Sequence, residues 1–484
     1  MISILVAFAV IVLSCLYWYR RDSRLPPGPK GVPLLGVIPF LRGHSAKRFR
    51  EWSKEYGNVF SARVGPSDYL VLTDYDVIHE VLIKQGNKVE NRPPLPILDA
   101  CSKGHGILFA KPRVWTVHRP FVVNTLRKLG MGKKLLESRV LDESSNMIAE
   151  LKKQGGNPYD PKDMFLLMAV NVAALFCMGQ RFAFDDEDFK KLVQHLVRGW
   201  QDDGDFVILL GYCAYLRHIP PFRKVVKNFV SDFDYVQDTI KKYIHEHELT
   251  YDKNDIRDFI DAFIEETKKE RHDRTFTEEQ LIVTVRDLLD AGAQTTSCTL
   301  VWILVGLVSH PDWQDKIREE IKEVVGEHGA VTMGHREKMP KTVAFLYEVM
   351  RKAIMAAQSH VCTTDEITVK GYKIPKHTPV FAAMWVVHNN PKYFDNPEEF
   401  RPERFINPVD GSFMKSKYCN PFSIGKRGCA GEQLAQMELF IFITHIVQNF
   451  NLSADDKTTI PSFDDGTYGI VYVPPRFKIK FEEI

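Results

Sequence analysis

The stretch Phe422-Ser-Ile-Gly-Lys-Arg-Gly-Cys429-Ala-Gly431-Glu432 places one thiol at the mouth of an apolar helical run, Gln433 to Asn449. Free backbone N–H groups and the positive end of a helix dipole favour a negative sulfur there, so a thiolate on Cys429 is well placed to hold a soft metal. Gly425, Gly428 and Gly431 bracket the cysteine and remove side chains where a flat ligand would approach the backbone. Arg427 sets a permanent cation beside it. A haem meets both demands, with an iron for the sulfur and propionates for the cation. The plain alternative for any isolated cysteine is a small buried apolar residue. Cys419 is the rival thiol, but it lacks the glycine frame and the following helix.

From Phe422 to Gly431 the chain matches the haem-binding pattern F-x-x-G-x-[RH]-x-C-x-G at every fixed position, and so it resembles the cytochrome P-450 family. The resemblance implies haem b (iron protoporphyrin IX) with Cys429 as the iron ligand and Phe422 and Arg427 against the cofactor. Trp115-Thr-Val-His-Arg119 puts an indole and a guanidinium on one helix face. By themselves these read as a core tryptophan and a solvated arginine. The motif resembles the family's W-x-x-x-R, in which both side chains hold a propionate. Gly104-His-Gly-Ile-Leu-Phe109 resembles the loop that precedes it, and Glu90-Asn-Arg-Pro93 and Gly179-Gln-Arg-Phe182 are smaller matches of the same kind.

Thr277-Glu-Glu-Gln280 is a capping box, and the apolar pattern after it runs to Ser309, where His310-Pro311 stops it. A helix of that length spans roughly 48 Å, enough to cross the domain. Its middle, Asp290-Ala291-Gly292-Ala293-Gln294-Thr295-Thr296-Ser297, contains hydroxyls that in a bare helix would bond back to carbonyls one turn earlier. The segment resembles the pattern [AG]-G-x-[DE]-T-[TS], which assigns Ala291 and Gly292 to the space over the haem and Thr295 to proton transfer toward dioxygen. Gln294 stands where the acid is usual; it orders hydrogen bonds but does not titrate.

Glu348-Val-Met-Arg351 sets opposite charges at i and i+3, and Pro402-Glu-Arg404-Phe405 follows. These resemble the E-x-x-R and P-E-R-F elements, which implies a buried structural triad of Glu348, Arg351 and Arg404. Many animal relatives carry prolines after the first arginine and then a propionate-binding His or Arg. This chain has Lys352-Ala-Ile-Met-Ala-Ala-Gln-Ser-His360, without proline, and His360 is the candidate. Gly371-Tyr-Lys-Ile-Pro-Lys376 resumes the family pattern.

The elements that must hold these residues are mainly helical. The 484 residues carry 64 Lys+Arg against 62 Asp+Glu, so no nucleic-acid footprint exists. Eight cysteines show no C-x-x-C pair and no zinc spacing, so they read as reduced thiols facing the cytosol, and the sequon at Asn451 is unused. Ile2 to Tyr19 is uncharged and followed by Arg20-Arg21, which predicts an uncleaved single transmembrane anchor over 1–20 with the body cytosolic. A basic, proline-rich linker over 21–38, with Pro26-Pro-Gly-Pro-Lys-Gly-Val-Pro33, leads into one catalytic domain over 39–484. Ser45 to Tyr56 and Asp76 to Lys84 read as helices, and Val59 to Val64 and Tyr69 to Leu72 as a hairpin about Gly65-Pro-Ser-Asp68. Gly132 to Gln154, Pro161 to Met178, Glu187 to Gln201, Phe222 to His247 and Asp255 to Lys268 have helical spacing. Strand signals return near Thr368 to Val380 and Gly469 to Phe481. Phe206-Val-Ile-Leu-Leu210, Tyr212, Tyr215 and Pro220-Pro-Phe222 read as core between two helices, or, by the resemblance, as a roof over the substrate pocket that dips into lipid.

The expected fold class is therefore mainly α: a cytochrome P-450 fold, a helical bundle with a small β-sheet region and one N-terminal transmembrane helix. The resemblance is to the microsomal animal branch, in the endoplasmic reticulum membrane. It implies a monooxygenase that inserts one oxygen atom of dioxygen into a small lipophilic xenobiotic, fatty acid or steroid. Electrons would come from NADPH through NADPH-cytochrome P-450 reductase, with cytochrome b5 as a further donor. Lys415, Lys417, Lys426, Arg127, Lys128, Lys133 and Lys134 would steer an acidic donor. Gln294 also fits a P-450 that rearranges peroxides, and a haem-binding sensor or carrier is the non-catalytic alternative.

Overall fold

Apolar residues repeat at three- and four-residue spacing through most of the chain, and each such run buries its stripe against a neighbouring helix. The structure is a computed structural model that describes residues 22–41, 43–129, 134–201, 204–356, 358–455, 457–469 and 471–484. The expected anchor over 1–20 lies outside the described residues. The longer helices are α1 (Ser45–Tyr56), α2 (Pro96–Ser102), α3 (Pro112–Leu129), α4 (Lys134–Lys152), α5 (Lys162–Met178), α6 (Glu187–Gln201) and α7 (Gly204–Tyr212). They continue as α8 (Pro220–Thr250), α9 (Phe259–Thr267), α10 (Glu278–Ser309), α11 (Pro311–Val325), α12 (Pro340–Lys352) and α13 (Glu432–Asn449).

Helix α10 is the axis of the molecule. It is apolar on all sides and buried along most of its length, packed on α5, α8, α12 and α13. Thr277 caps it, its hydroxyl accepting from the Gln280 N–H at 3.2 Å. The second half of the expected capping box does not form. Gln280 turns instead to the loop before α3, where its amide oxygen accepts from the Gly106 N–H and its nitrogen donates to the Gly106 carbonyl, each at 3.0 Å.

The largest sheet is four-stranded, in the order β1 (Val59–Val64), β2 (Ser67–Leu72), β4 (Pro379–Ala382), β3 (Ser359–Cys362), and three two-stranded pairs join 367–369 with 372–374 and, among the C-terminal strands, 450–454 with 479–483 and 467–468 with 472–473. The β1–β2 turn is tighter than expected: Val64 pairs with Ser67, so Ser67 and Asp68 belong to the strand. Strand β4 runs parallel to β2 and antiparallel to β3, which sets His360 opposite Phe381. The proline-rich stretch lies along this sheet, with the Pro27 and Pro29 carbonyls accepting from Ser61 and Arg63 N–H at 3.1 and 3.4 Å. No gap separates it from the body.

Three boundaries differ from expectation for local reasons. Asp76 to Lys84 is helical, but its second half, Glu80–Lys84, widens into a π-turn. Asp255 to Asp258 is not helix, because the Asp258 carboxylate caps α9 by accepting from the Asp261 N–H at 3.0 Å. The apolar run after Gly204 is itself helical, as α7. The Gly179–Phe182 match is structural: Arg181 Nε donates to Glu143 at 2.8 Å, and Asn171 holds both the N–H and the carbonyl of Phe182.

Where α10 meets α13, Glu438 is buried beside Thr296, and its Oε2 has no partner. Burial pushes its carboxyl up to about 8. Between the ordinary carboxyl value of 4.5 and about 8 the unfolded chain ionises and the folded chain does not, so stability falls as pH rises through that window. Glu438→Gln is expected to remove that slope and to raise stability at pH ~8.5 relative to pH ~5, by an amount on the order of 2 to 4 kcal/mol. Equal pH dependence of the denaturation midpoint in the two proteins would overturn this.

Candidate functional site

The loop before α13 is closed by its own backbone. Cys429 N–H donates to the Phe422 carbonyl at 2.9 Å, and Gly428 N–H to the Gly425 carbonyl at 3.0 Å. Gly425 has φ +84°, and a Cβ there would lie 2.5 Å from the Leu82 carbonyl oxygen, inside the π-turn. Protein backbone therefore requires a glycine at that position. Phe422 is half-buried against the core.

Cys429 is the one exposed thiol among the described cysteines. Burial by the surrounding protein still pushes it up, and Glu432 adds to that; the Gly431 N–H and Arg119 act the other way. That donor is the helix-mouth N–H expected from the sequence. Cys419 is fully buried in the main apolar cluster, and burial pushes it up to about 12, so it is no thiolate.

Beside the cysteine, three guanidiniums converge. Arg427 stacks on the Trp115 ring at 3.9 Å, with its Nε donating to the Glu90 carbonyl at 2.6 Å. Arg119, one turn beyond Trp115 on α3, donates from Nη2 to the Gly428 carbonyl at 2.6 Å. Arg92 is the member that sequence reasoning did not place in the site. A bridge between Asn91 and Cys362 brings it to β3, where it donates to the His360 carbonyl, and its Nε donates to the Leu108 carbonyl at 3.0 Å. Its signal was the Glu90–Pro93 match. Burial, and then Arg92 and Arg119, push Arg427 well below its usual range. Burial and Arg92 likewise push His360 down to about 3, so its ring is neutral.

Among the described residues, none of these three arginines forms a salt bridge, and both terminal nitrogens of Arg427 are buried without a partner. Glu90, the nearest acid, is taken by Lys426 at 2.6 Å. Like charges gathered without a counter-charge, one of them buried, are costly, so the cradle calls for an anion with several acceptor oxygens. The two carboxylates of a haem would supply that, and the thiol beside them would supply an iron ligand. Trp115, Arg119 and Arg427 are thus brought together beside Cys429, His360 joins them through Arg92, and the residues present fit the group.

On α10, Ala291 is exposed and Gly292 and Thr295 are half-exposed in mid-helix, where their neighbours are buried. Thr295 Oγ1 donates back to the Ala291 carbonyl at 2.7 Å. Gln294 points elsewhere: it is 5% exposed and its Nε2 has no partner. Asp287, not singled out from sequence, locks the preceding loop, its Oδ2 accepting from Ile107 and Leu108 N–H at 2.7 and 2.9 Å.

The expected triad forms. Arg351 Nε and Nη2 each reach Glu348 at 2.7 Å, and Arg404 Nε joins at 3.2 Å. The segment after Arg351 is held by the C-terminal strands, with the Tyr472 N–H donating to the Met355 carbonyl and the Tyr468 hydroxyl to the Ile354 carbonyl. Of the basic patch, Lys415 pairs with Glu432 and Lys426 with Glu90, and Arg127, Lys128 and Lys417 are exposed. The side chains of Lys133 and Lys134 lie outside the described residues.

The family model for cytochrome P450 matches residues 26–481. The chain is 36% identical over 492 residues to cytochrome P450 2C16 of Oryctolagus cuniculus, covering 98% of this chain and 99% of the relative. It is 37% identical over 494 residues to cytochrome P450 2C50 of Mus musculus, covering 98% of each. To cytochrome P450 2B2 of Rattus norvegicus it is 32% identical over 491 residues, covering 99% of each.

Proposed function

The chain belongs to the cytochrome P450 family, and from that premise we propose which of its residues do the work of a haem-thiolate monooxygenase and on what. Cys429 would supply the thiolate that holds the iron, and Arg92, Trp115, Arg119, His360 and Arg427 would hold the propionates. The observation that carries this is the cluster of three guanidiniums without a salt bridge among the described residues, of which Arg427 is buried with two unpartnered nitrogens, set beside the one exposed thiol among the described cysteines. The bound haem supplies the redox chemistry; the protein supplies orientation, dryness and protons. Ala291 and Gly292 would leave room beside the bound group, and Thr295 would handle the proton there.

Gln294 does not titrate and its side chain is buried away from the exposed face, so it is not the proton source for Thr295. To donate outward, the Thr295 hydroxyl must rotate off the Ala291 carbonyl. Thr295→Ala is expected to raise hydrogen peroxide release several-fold per NADPH consumed, with haem content unchanged. Unaltered coupling of NADPH to product would remove Thr295 from the mechanism.

The proposed substrate is small and lipophilic, with electrons from NADPH through a separate reductase docked at the exposed cations Arg127, Lys128 and Lys417. The proposed location is the endoplasmic reticulum membrane. Exposed apolar side chains support it: Leu34 and Tyr215 meet through a hydrogen bond at 2.8 Å, and Phe206 and Ile219 are exposed on the neighbouring elements. A reduced carbon monoxide difference spectrum of thiolate type, together with reductase-dependent NADPH consumption and an oxygenated product, is expected. Turnover of hydroperoxides with no NADPH-dependent product would favour the peroxide-rearranging alternative.

A further inference from the structure

One turn before the exposed stretch of α10, Arg286 is a charged group at 5% exposure whose Nε is buried without a partner. Its guanidinium lies 3.6 Å over the Phe233 ring of α8, and its Nη1 stands 3.7 Å from Asp290 Oδ2, too far for a hydrogen bond. Among the described residues no hydrogen bond from Arg286 forms. It lines a cavity closed by Leu98 of α2, Phe109 of the following loop, Trp200 of α6, Phe233 of α8 and Asp290. Of those walls, α6 and α8 pack directly on α10.

A desolvated guanidinium with unused N–H groups needs an acceptor. The surrounding charge decides which kind. Asp290 already offsets Arg286, holding its place by accepting from Trp200 Nε1 at 3.0 Å. Asp287 adds a second acid behind it, spent on the loop backbone. A carboxylate would enter a site that already holds two acids against one cation, whereas a neutral carbonyl oxygen accepts without adding charge.

We infer that Arg286 is a specificity-determining residue that binds the carbonyl oxygen of a neutral, otherwise apolar substrate, such as a ketone, ester or amide. Nine residues separate Arg286 from Thr295 along α10, roughly 14 Å at the helical rise. The substrate is then oxidised at the end far from its carbonyl, on the order of 14 Å away. This rests on the reading of the cleft as a monooxygenase site.

The test uses the full haem-loaded chain. Its reduced carbon monoxide spectrum is recorded first; absence of the thiolate type takes down both the family-site reading and this inference. With that spectrum in place, calorimetric titration compares undecyl methyl ketone, tridecane and dodecanoic acid. The ketone is expected to bind about ten-fold tighter than the alkane and tighter than the acid, and to be oxidised near its far methyl end. In Arg286→Met the preference for ketone over alkane should vanish and the products spread along the chain. Arg286→Met with Asp290→Asn gives the same comparison without an unpaired buried acid. Equal wild-type affinity for ketone and alkane, a preference for the acid, or a ketone preference that survives both variants would overturn the inference while leaving the haem-thiolate reading intact.

Discussion

Cys429→Ser is expected to abolish monooxygenase activity and to convert the reduced carbon monoxide spectrum from the thiolate type to another, with little change in the fold of the polypeptide. The reason is chemical. A thiol is a soft ligand that a bound metal deprotonates outright, whereas a serine hydroxyl is a harder donor whose proton is held far more tightly. The electron push of a thiolate ligand goes with the sulfur. The loop itself does not depend on that atom. Its closure is made by main-chain bonds from residues 428 and 429 to the Gly425 and Phe422 carbonyls, and Gly425 keeps its packing against Leu82 in the variant. Cys419→Ser provides the contrast. That thiol is fully buried, so a hydroxyl there should lower the melting temperature and leave the spectrum type unchanged. A thiolate-type spectrum in Cys429→Ser would sink the assignment of the ligand.

The part of this site that could be read from sequence is the part that is contiguous. Phe422 to Gly431 is one loop whose hydrogen bonds close on itself, and Trp115 and Arg119 are one helical turn apart, so spacing alone brings them together. The cradle as a whole is not local. Arg92 reaches it through a bridge to residue 362, and His360 through pairing with Phe381, contacts that no window of sequence contains. Helix limits were legible where a cap or a proline marks them, as at Thr277 and Pro311, and illegible where a run is apolar without a break. The run from Phe206 to Leu210 is apolar on every side, so it has no periodicity to separate helix from extended core. Gly425 shows the other limit: the glycine was visible, but the carbonyl it makes room for, Leu82, is in a π-turn far away in the chain. Arg286, Asp287 and Asp290 stood in plain view on an apolar helix. Only the structure shows that Asp287 ties down a loop while Arg286 keeps its donors free of hydrogen bonds.

Glu348→Ala is expected to cost on the order of 3 to 5 kcal/mol and to leave the protein with little or no haem. Glu348 and Arg351 are wholly buried, and the carboxylate is shared by Arg351, Arg404 and the Arg401 N–H. Removing it strands two guanidiniums, one of them with no access to water. The damage travels along a defined route to the cysteine loop. Arg351 Nη1 donates to the His388 carbonyl at 2.8 Å, and its Nη2 to those of Pro397 and Glu399 at 3.0 and 3.1 Å, so it fixes the segment leading to Pro402. The His388 ring, pushed down to about 3 by burial and Arg351, stays neutral and accepts from the Asn420 N–H at 2.9 Å through Nε2. Asn420 carries on the route, since its carbonyl accepts from the Ser423 N–H inside the loop that ends in Cys429. Glu348→Gln keeps one acceptor oxygen and loses the charge, and it should fall between the two in both melting temperature and haem-to-protein ratio. Full haem content with an unchanged melting temperature in Glu348→Ala would show that the loop is held by its own backbone bonds alone, and that the triad is ornamental to it.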